Sequence, residues 1–153
     1  MEQDQRYMKE ALLEARKALL LGEVPVGAVV VYKGEIVARA CNRREVDKMA
    51  TAHAELLAIE QSCRVLGGWR LTDCTLYVTL EPCPMCAGAI VNARVGRVVY
   101  GAKDAKAGAM GSLLNVNAYP LNHKPEVTAG VLSDECAAIL REFFEAKRRE
   151  KKE

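Results

Sequence analysis

Two cysteines separated by two residues, Cys83 and Cys86, lie in the stretch "TLEPCPMCAGAI". Proline is favoured at the first position of a helix, so Pro84 predicts a helix start with Cys83 as its N-cap and Cys86 in its first turn. The positive end of a helix favours thiolates. Pro82 and Pro84 also restrict the backbone of the turn. The spacing therefore predicts a preorganised pair of thiolates, which is typical of zinc sites and of dithiol redox sites.

A histidine at a second helix start favours the metal over the redox interpretation. The stretch "TAHAELLAIEQSCRVLGG" predicts a helix that begins near Thr51 and places His53 at its start, after a predicted strand. In parallel strand-to-helix units the helix starts lie at the same edge of the sheet. We therefore expect His53, Cys83 and Cys86 to meet, and one nitrogen with two sulfur ligands suits zinc.

The sequence offers no evident fourth protein ligand. Cys41 and Cys74 are the nearest cysteines, but neither lies at a helix start with paired spacing. Three protein ligands and an open position are typical of catalytic zinc, which lowers the pKa of water to about 7. Glu55, two residues after His53, is predicted to accept the proton of that water. A lone glutamate at a helix start can also be there simply because the helix dipole stabilises it.

The elements that must position these residues alternate along the chain. Hydrophobic periodicity and turn residues predict, in order, a helix over 4–21, strands over 26–32 and 35–41, a helix from about 51 to 66, a strand over 75–80, a helix from 84 to about 94, a strand over 96–101, a short helical piece near 112–119, a strand over 126–132 and a helix capped by Ser133. This order predicts an α/β sandwich around a mixed sheet of about five strands. The hairpin strands should be antiparallel, and strands separated by a helix should be parallel.

Length and composition predict one globular domain over residues 1–153. The chain has 153 residues, 50% hydrophobic and 27% charged, with a net charge of +2. It shows no leader sequence and no apolar run of the ~20 residues that a membrane span needs, so we expect a cytoplasmic protein. Apart from the paired thiols, the remaining four of the six cysteines are expected to be small buried hydrophobic residues. The basic helix end, residues 145–153, gives weak support for a polyanionic partner.

The pattern His53-Ala54-Glu55 with Pro82-Cys83-Pro84-Met85-Cys86 resembles the signature of zinc-dependent nucleobase deaminases. The similarity extends over almost the whole chain and is specific for the bacterial tRNA adenosine deaminases. It implies a cytidine-deaminase-like three-layer sandwich, a homodimer, and conversion of adenosine to inosine at the wobble position of an arginine tRNA anticodon. One zinc ion per subunit would be held by His53, Cys83 and Cys86. Glu55 would be the proton shuttle while hydroxide attacks C6 of the flipped adenine.

The resemblance also implies contacts to the anticodon stem-loop of tRNA. It matches Asn42 and the backbone amide of Ala54 to base contacts, and it assigns contacts to flanking nucleotides to Asp104, Lys106, Asn122, Phe144 and the basic helix end. Each of these residues also has a simple structural explanation from the sequence. Asn42 can end a strand, Asp104 can shape a turn, and Lys106 can be solvated.

Three other functions remain open at the level of sequence. A guanine deaminase, or another deaminase of free nucleobases or nucleotides, shares the "EPCPMC" core. A non-catalytic zinc module that binds RNA would not need Glu55 beside an open coordination position. A dithiol redox protein would require Cys83 and Cys86 to oxidise reversibly. If a dimer forms, we expect residues 85–94 and the neighbouring loop to contribute to its interface.

Overall fold

The computed structural model describes residues 2–152. Its helices and strands are α1 (Glu2–Leu20), β1 (Gly27–Tyr32), β2 (Glu35–Cys41), α2 (Arg44–Asp47), α3 (Ala54–Leu66), β3 (Cys74–Leu80), α4 (Pro84–Asn92), β4 (Arg97–Ala102), a 3-10 turn (Val116–Ala118), β5 (Glu126–Ala129) and α5 (Ser133–Lys152). None of the helices in this described part is both long and apolar enough to cross a membrane.

The five strands form one mixed sheet in the order β2-β1-β3-β4-β5. Strand β1 is antiparallel to both of its neighbours, whereas β3, β4 and β5 are parallel to one another. The predicted α/β class, the antiparallel hairpin and the parallel later strands are confirmed. Strands β2 and β3, which precede α3 and α4, are not neighbours. They point the same way because each is antiparallel to β1, which lies between them.

Helices cover both faces of the sheet and give three layers. Alternate residues of β1 point to opposite faces: Ala28 and Val30 pack in the core that contains residues of α3 and α4, and Val29 and Val31 pack in the core that contains residues of α1 and α5. A strand that is buried on both faces needs apolar residues at every position. The continuous run "VGAVVVY" is therefore explained by a central place in the sheet.

The chain approaches α3 differently from the sequence prediction. Thr51 was expected to cap the helix, but α3 begins at Ala54 and its N-cap is His53, with an extended backbone at φ −87° and ψ 148°. The Ala52 carbonyl accepts a hydrogen bond of 2.9 Å from the Arg43 backbone N–H, which holds this segment as a loop beside the end of β2. The predicted polar loop after Asn42 also contains the short helix α2, which the periodicity did not indicate.

Two boundaries near the C-terminus also differ. Strand β5 ends at Ala129 instead of continuing to residue 132, because the next residue, Gly130, takes a positive φ of 84°, and Leu132 takes one of 53° before the last helix. Ser133, which was predicted as a cap, is the first residue of α5. Beyond Phe143, most of the described side chains of α5 are exposed, including those of the basic end.

A polar network attaches α1 to the sheet. The Asp4 carboxylate accepts hydrogen bonds of 2.8 Å and 2.7 Å from the Arg97 guanidinium and one of 2.8 Å from the Tyr77 hydroxyl. These bonds hold the pKa of Asp4 below its ordinary value in spite of its burial. At its middle, α1 lies directly against Gly27, where a Cβ atom would be 2.1 Å from the Ala11 carbonyl oxygen.

Candidate active site and metal centre

Two helix starts form the centre of the site, as the sequence predicted. Cys83 is the N-cap of α4, with Pro84 at the first helical position and Cys86 buried in the first turn. His53 is the N-cap of α3. Both helices begin at the same edge of the sheet because the strands before them point in the same direction. Neither Cys83 nor His53 uses its side chain to cap its helix, so both side chains remain available to a ligand.

The three predicted ligands meet with a geometry that suits zinc. The His53 Nδ1 atom lies 3.7 Å from Cys83 Sγ and 3.6 Å from Cys86 Sγ. In a tetrahedral site with Zn–S of about 2.3 Å and Zn–N of about 2.0 Å, a nitrogen and a sulfur ligand are about 3.6 Å apart. In the described part of the chain this is the one group of three or more His, Cys, Asp or Glu side chains gathered closely enough to hold a metal ion.

The protonation of these ligands also favours a cation. Two hydrogen bonds, one from the Cys86 thiol with the larger effect and one from His53, lower the pKa of Cys83 to about 3 despite its burial. The same thiol–thiolate bond, together with burial, raises the pKa of Cys86. The Cys83 thiolate raises the pKa of His53 in turn. Zinc binds the deprotonated forms of cysteine and histidine, so a bound metal would displace protons from this group.

Glu55 is buried beside the ligands, with 4% of its surface exposed. Burial raises the pKa of its carboxyl group to about 7, although the positive charge of His53 opposes this effect. The Cys86 thiol is close enough for each group to influence the other's pKa. A carboxyl group that titrates near neutral pH can both accept and return a proton, which is the requirement for a general acid–base group.

The centre opens into a cleft of about 380 Å³. Its lining includes five residues that the sequence analysis selected: Asn42, His53, Glu55, Cys83 and Asp104. Cys86 is buried in the first turn of α4, next to them. The cleft is therefore large enough for a small ring system, and it places such a ligand directly against the metal ligands and Glu55.

Asn42 and Ala54 are hydrogen-bonded to each other at the edge of this cleft. The Ala54 backbone N–H, which was expected to assist in substrate binding, donates a hydrogen bond of 2.9 Å to Asn42 Oδ1. The Asn42 side-chain NH₂ donates one of its hydrogens to the Val24 carbonyl oxygen at 3.2 Å. The Asn42 carboxamide is thus held in one orientation, and its second N–H hydrogen remains available.

The residues predicted to contact flanking nucleotides are more dispersed. Asp104 lines the cleft, and its Oδ1 atom accepts hydrogen bonds of 3.1 Å from the backbone N–H groups of Lys106 and Ala107, so it also shapes a turn. Lys106 and Asn122 are exposed and lie outside the cleft lining. Phe144 is 45% exposed and also lies outside this lining.

Several residues around the cleft were missed by the sequence analysis. Phe143 of α5 lines the cleft, whereas the predicted Phe144 does not. Lys147, which also lines the cleft, belongs to the basic helix end that the sequence analysis had already selected. The helical spacing of Phe143 from Ile139, both of which are buried, is the signal that could have separated the two phenylalanines. The charged residues of the lining that were missed come from three places, namely the loop between α1 and β1, the helix α2 and the end of β3: Glu23, Arg44, Glu45 and Glu81.

Comparisons with known proteins agree with this geometry. A family model described as MafB19-like deaminase matches residues 2–148. A tRNA-specific adenosine deaminase of Bacillus subtilis is 55% identical over 153 residues, which cover 99% of this chain and 95% of that protein. The chain belongs to the tRNA-specific adenosine deaminase family. Another relative is the tRNA-specific adenosine deaminase of Haemophilus influenzae, which is 47% identical to this chain. The matched residues cover 99% of this chain and 88% of the Haemophilus protein.

Solved structures of related deaminases confirm the predicted deaminase fold. A structure from studies of A-to-I editing by tRNA:A34 deaminases superposes with a TM-score of 0.85 at 46% identity, covering 88% of this chain and 98% of its own. A guanine deaminase from Bacillus subtilis superposes with a TM-score of 0.61 at 43% identity, covering 64% of this chain and 63% of its own. Similarity to the tRNA:A34 deaminase is therefore the more extensive of the two.

Proposed function

We propose that this chain catalyses the zinc-dependent hydrolytic deamination of adenosine to inosine at the wobble position of a tRNA anticodon. The observation that carries the proposal is the meeting of His53, Cys83 and Cys86 beside the buried carboxyl group of Glu55. The reaction itself is that of the zinc nucleobase deaminases, to whose superfamily the chain belongs. An arginine tRNA is the substrate that the sequence resemblance favours.

His53, Cys83 and Cys86 would hold the zinc ion. When bound, zinc supplies a water molecule of lowered pKa at the position that protein ligands leave open. Glu55 would accept one proton of this water and deliver it to N1 of adenine while the oxygen forms its bond to C6. Glu55 would then take the remaining proton of that hydroxyl group and pass it to N6, so that the C6–N6 bond breaks, ammonia leaves and the C6 carbonyl of inosine remains. In the metal-free protein, burial raises the pKa of Glu55 to about 7, a range in which a carboxyl group can both accept and return a proton at neutral pH.

The walls of the cleft would orient the adenine ring. The free N–H of Asn42 donates a hydrogen bond to an acceptor nitrogen of the base, and the Ala54 amide keeps the Asn42 carboxamide in the orientation this requires. The ring of Phe143 provides an apolar surface at the cleft. A base must leave its stack to reach this depth, which suits a nucleotide in a single-stranded loop.

The anticodon backbone would follow the basic and polar groups outside the cleft. Lys147 lines the cleft, and the exposed basic end of α5 continues from it. Asp104, Lys106, Asn122 and Phe144 are proposed to contact the flanking nucleotides. Contacts to phosphates release counterions, so binding of a stem-loop should weaken steeply as the salt concentration rises.

The decisive experiment is to incubate the enzyme with a transcribed arginine tRNA and to sequence the product. Inosine at the wobble position, with no turnover of guanine, supports the proposal. Turnover of guanine with an inert anticodon stem-loop would favour the rival free-base deaminase instead. Metal analysis of freshly purified protein distinguishes a zinc enzyme from a dithiol redox protein, since the redox protein requires no stoichiometric zinc.

We further propose that the chain acts as a single-domain subunit of a homodimer in the cytoplasm. Exposed apolar side chains support an interface that includes α4 and the neighbouring loop between β4 and β5: Met85 is 36%, Leu113 55% and Leu114 44% exposed. Sedimentation at micromolar concentration should give twice the mass of one chain. A monomer under these conditions would contradict the proposed assembly without affecting the proposed chemistry.

A further inference from the structure

A second buried glutamate, Glu81, has no part in the chemistry proposed above. It lies between the end of β3 and the Pro82-Cys83 turn, and 2% of its surface is exposed. Burying a carboxylate is unfavourable unless hydrogen bonds replace its lost hydration. The donors that compensate Glu81 therefore indicate what this residue does.

All of these donors come from one segment between β4 and β5, which we name the 104–112 segment. The backbone N–H of Asp104 donates to Glu81 Oε1 at 3.1 Å. The backbone N–H groups of Met110 and Ser112 both donate to Oε2 at 3.0 Å. The Ser112 hydroxyl donates a further, short bond to Oε1. One side chain thus gathers both ends of a segment that has no helix or strand of its own.

This arrangement requires a carboxylate. Each oxygen of Glu81 accepts two hydrogen bonds, and each oxygen faces at least one backbone N–H group. Glutamine has nearly the same shape, but its NH₂ group would have to face an N–H donor in either orientation. Space is also restricted, because a Cβ atom on Gly108 would lie 2.4 Å from Glu81 Cδ. A glutamine cannot satisfy these donors unless the 104–112 segment moves.

Two backbone bonds extend the connection to the metal centre. The Glu81 N–H donates to the Ala102 carbonyl at 2.9 Å, and the Ala109 N–H donates to the Pro82 carbonyl at 2.8 Å. The turn that carries Cys83 is therefore joined to the segment that carries Asp104, and both residues line the cleft. We propose that Glu81 is a positioning residue that fixes the 104–112 segment, as a nucleotide-recognition element, at a set distance from the metal centre. This inference rests on the proposed function of the site.

The test compares Glu81→Gln with Ser112→Ala in the zinc-loaded, full-length protein. Ser112→Ala removes one donor and leaves the carboxylate with three. For Glu81→Gln we expect zinc content and kcat to stay within about twofold of wild type, while KM for an anticodon stem-loop rises about tenfold, the equivalent of about 1.4 kcal/mol. Ser112→Ala should raise KM about two- to threefold at unchanged kcat. A purely structural role would instead lower the active fraction, and kcat with it, at unchanged KM.

Hydrogen exchange provides a measurement that does not depend on the substrate. In Glu81→Gln the amides of Asp104, Met110 and Ser112 should exchange at least tenfold faster, while those of β3 and β4 keep their protection. Unchanged exchange in this segment would overturn the proposal, as would an unchanged KM with a reduced kcat. If Glu81→Gln does not fold, the KM and the amide exchange of Ser112→Ala test the proposal instead. Absence of inosine formation by the wild type would reject the proposed function, whereas the exchange data would still test the contact.

Discussion

Replacing Glu55 with glutamine should remove activity and, in the metal-free protein, increase stability. The pKa of Glu55 is raised from 4.5 to about 7 because the carboxyl group is buried. At about 1.4 kcal/mol for each pH unit, the difference between these two pKa values amounts to about 3 kcal/mol. Since the pKa of Glu55 is higher in the folded state than in the unfolded state, the wild type keeps this part of its free energy of unfolding below pH 4.5 and loses it as the pH rises through 7. A neutral glutamine has no such dependence.

The assay is chemical denaturation in the presence of a reductant and a chelator, at several pH values between 4 and 8. Metal-free protein is needed because the charge of a zinc ion changes the pKa values around it. Glu55→Gln should match the wild type near pH 4 and exceed its free energy of unfolding by about 3 kcal/mol at pH 8. The control is Glu60→Gln on the same helix, whose exposed side chain forms a surface ion pair with Arg64. It should stay within about 0.5 kcal/mol at every pH.

The same variant tests the proposed proton transfer when it is loaded with zinc. Zinc content should remain at one ion per subunit, while kcat falls by about 10²–10⁴-fold, the usual contribution of a general acid–base group. Equal stability of the variant and the wild type at pH 8 would show that the carboxyl group is not desolvated as the geometry implies. Retained turnover would reject Glu55 as the proton shuttle.

Four further predictions concern the proposed metal ligands and the packing of the fold. Cys83→Ser should lose stoichiometric zinc, whereas Cys74→Ser, a change in the buried core, should keep it, and metal analysis would distinguish them. The zinc affinity of the wild type should also fall as the pH is lowered, because zinc binds His53 and Cys86 only after they lose their protons. Calorimetry at several pH values measures this affinity, and a constant value would contradict the prediction. Asp4→Asn leaves Arg97 without its charged partner and should cost about 2–3 kcal/mol at pH 7. Because the pKa of Asp4 is lowered, this difference should shrink as the pH falls below about 3.8, and a pH-independent difference would argue against the ion pair. Gly27→Ala should cost about 3 kcal/mol, because the new Cβ would meet the backbone of α1, and an unchanged unfolding midpoint would contradict this packing.

The metal ligands could be predicted from the sequence because their placement depends on local rules. A proline at the first helical position fixes where α4 begins, and that start makes Cys83 the N-cap with Cys86 one turn away. The predicted placement of His53 beside the two cysteines is confirmed, although the N-cap of its helix lies two residues later than expected. It held because the strand-to-helix order decides which edge of the sheet the residue occupies, and the exact first residue of the helix does not.

Residues that act across the fold could not be found in this way. Glu81 looks like part of the cysteine motif, but its hydrogen-bond donors are 23 to 31 residues away in sequence. Helical spacing from Ile139 can place Phe143 on the buried face of α5, but only the packing of α5 on the sheet brings Phe143 to the cleft. The position of β1 between β2 and β3 likewise depends on pairing between distant strands.

The sequence by itself determined the family, the class of fold and the gathering of His53, Cys83 and Cys86, because helix starts, strand patterning and motif spacing are set by neighbouring residues. The tertiary structure decided which side chains are buried away from water and which distant segments are connected by hydrogen bonds. Burial displaces the pKa of Glu55 towards neutrality, and the carboxylate of Glu81 ties the 104–112 segment to the metal-binding turn. Both effects arise from atoms brought together by packing, and the local sequence around either glutamate does not contain that information.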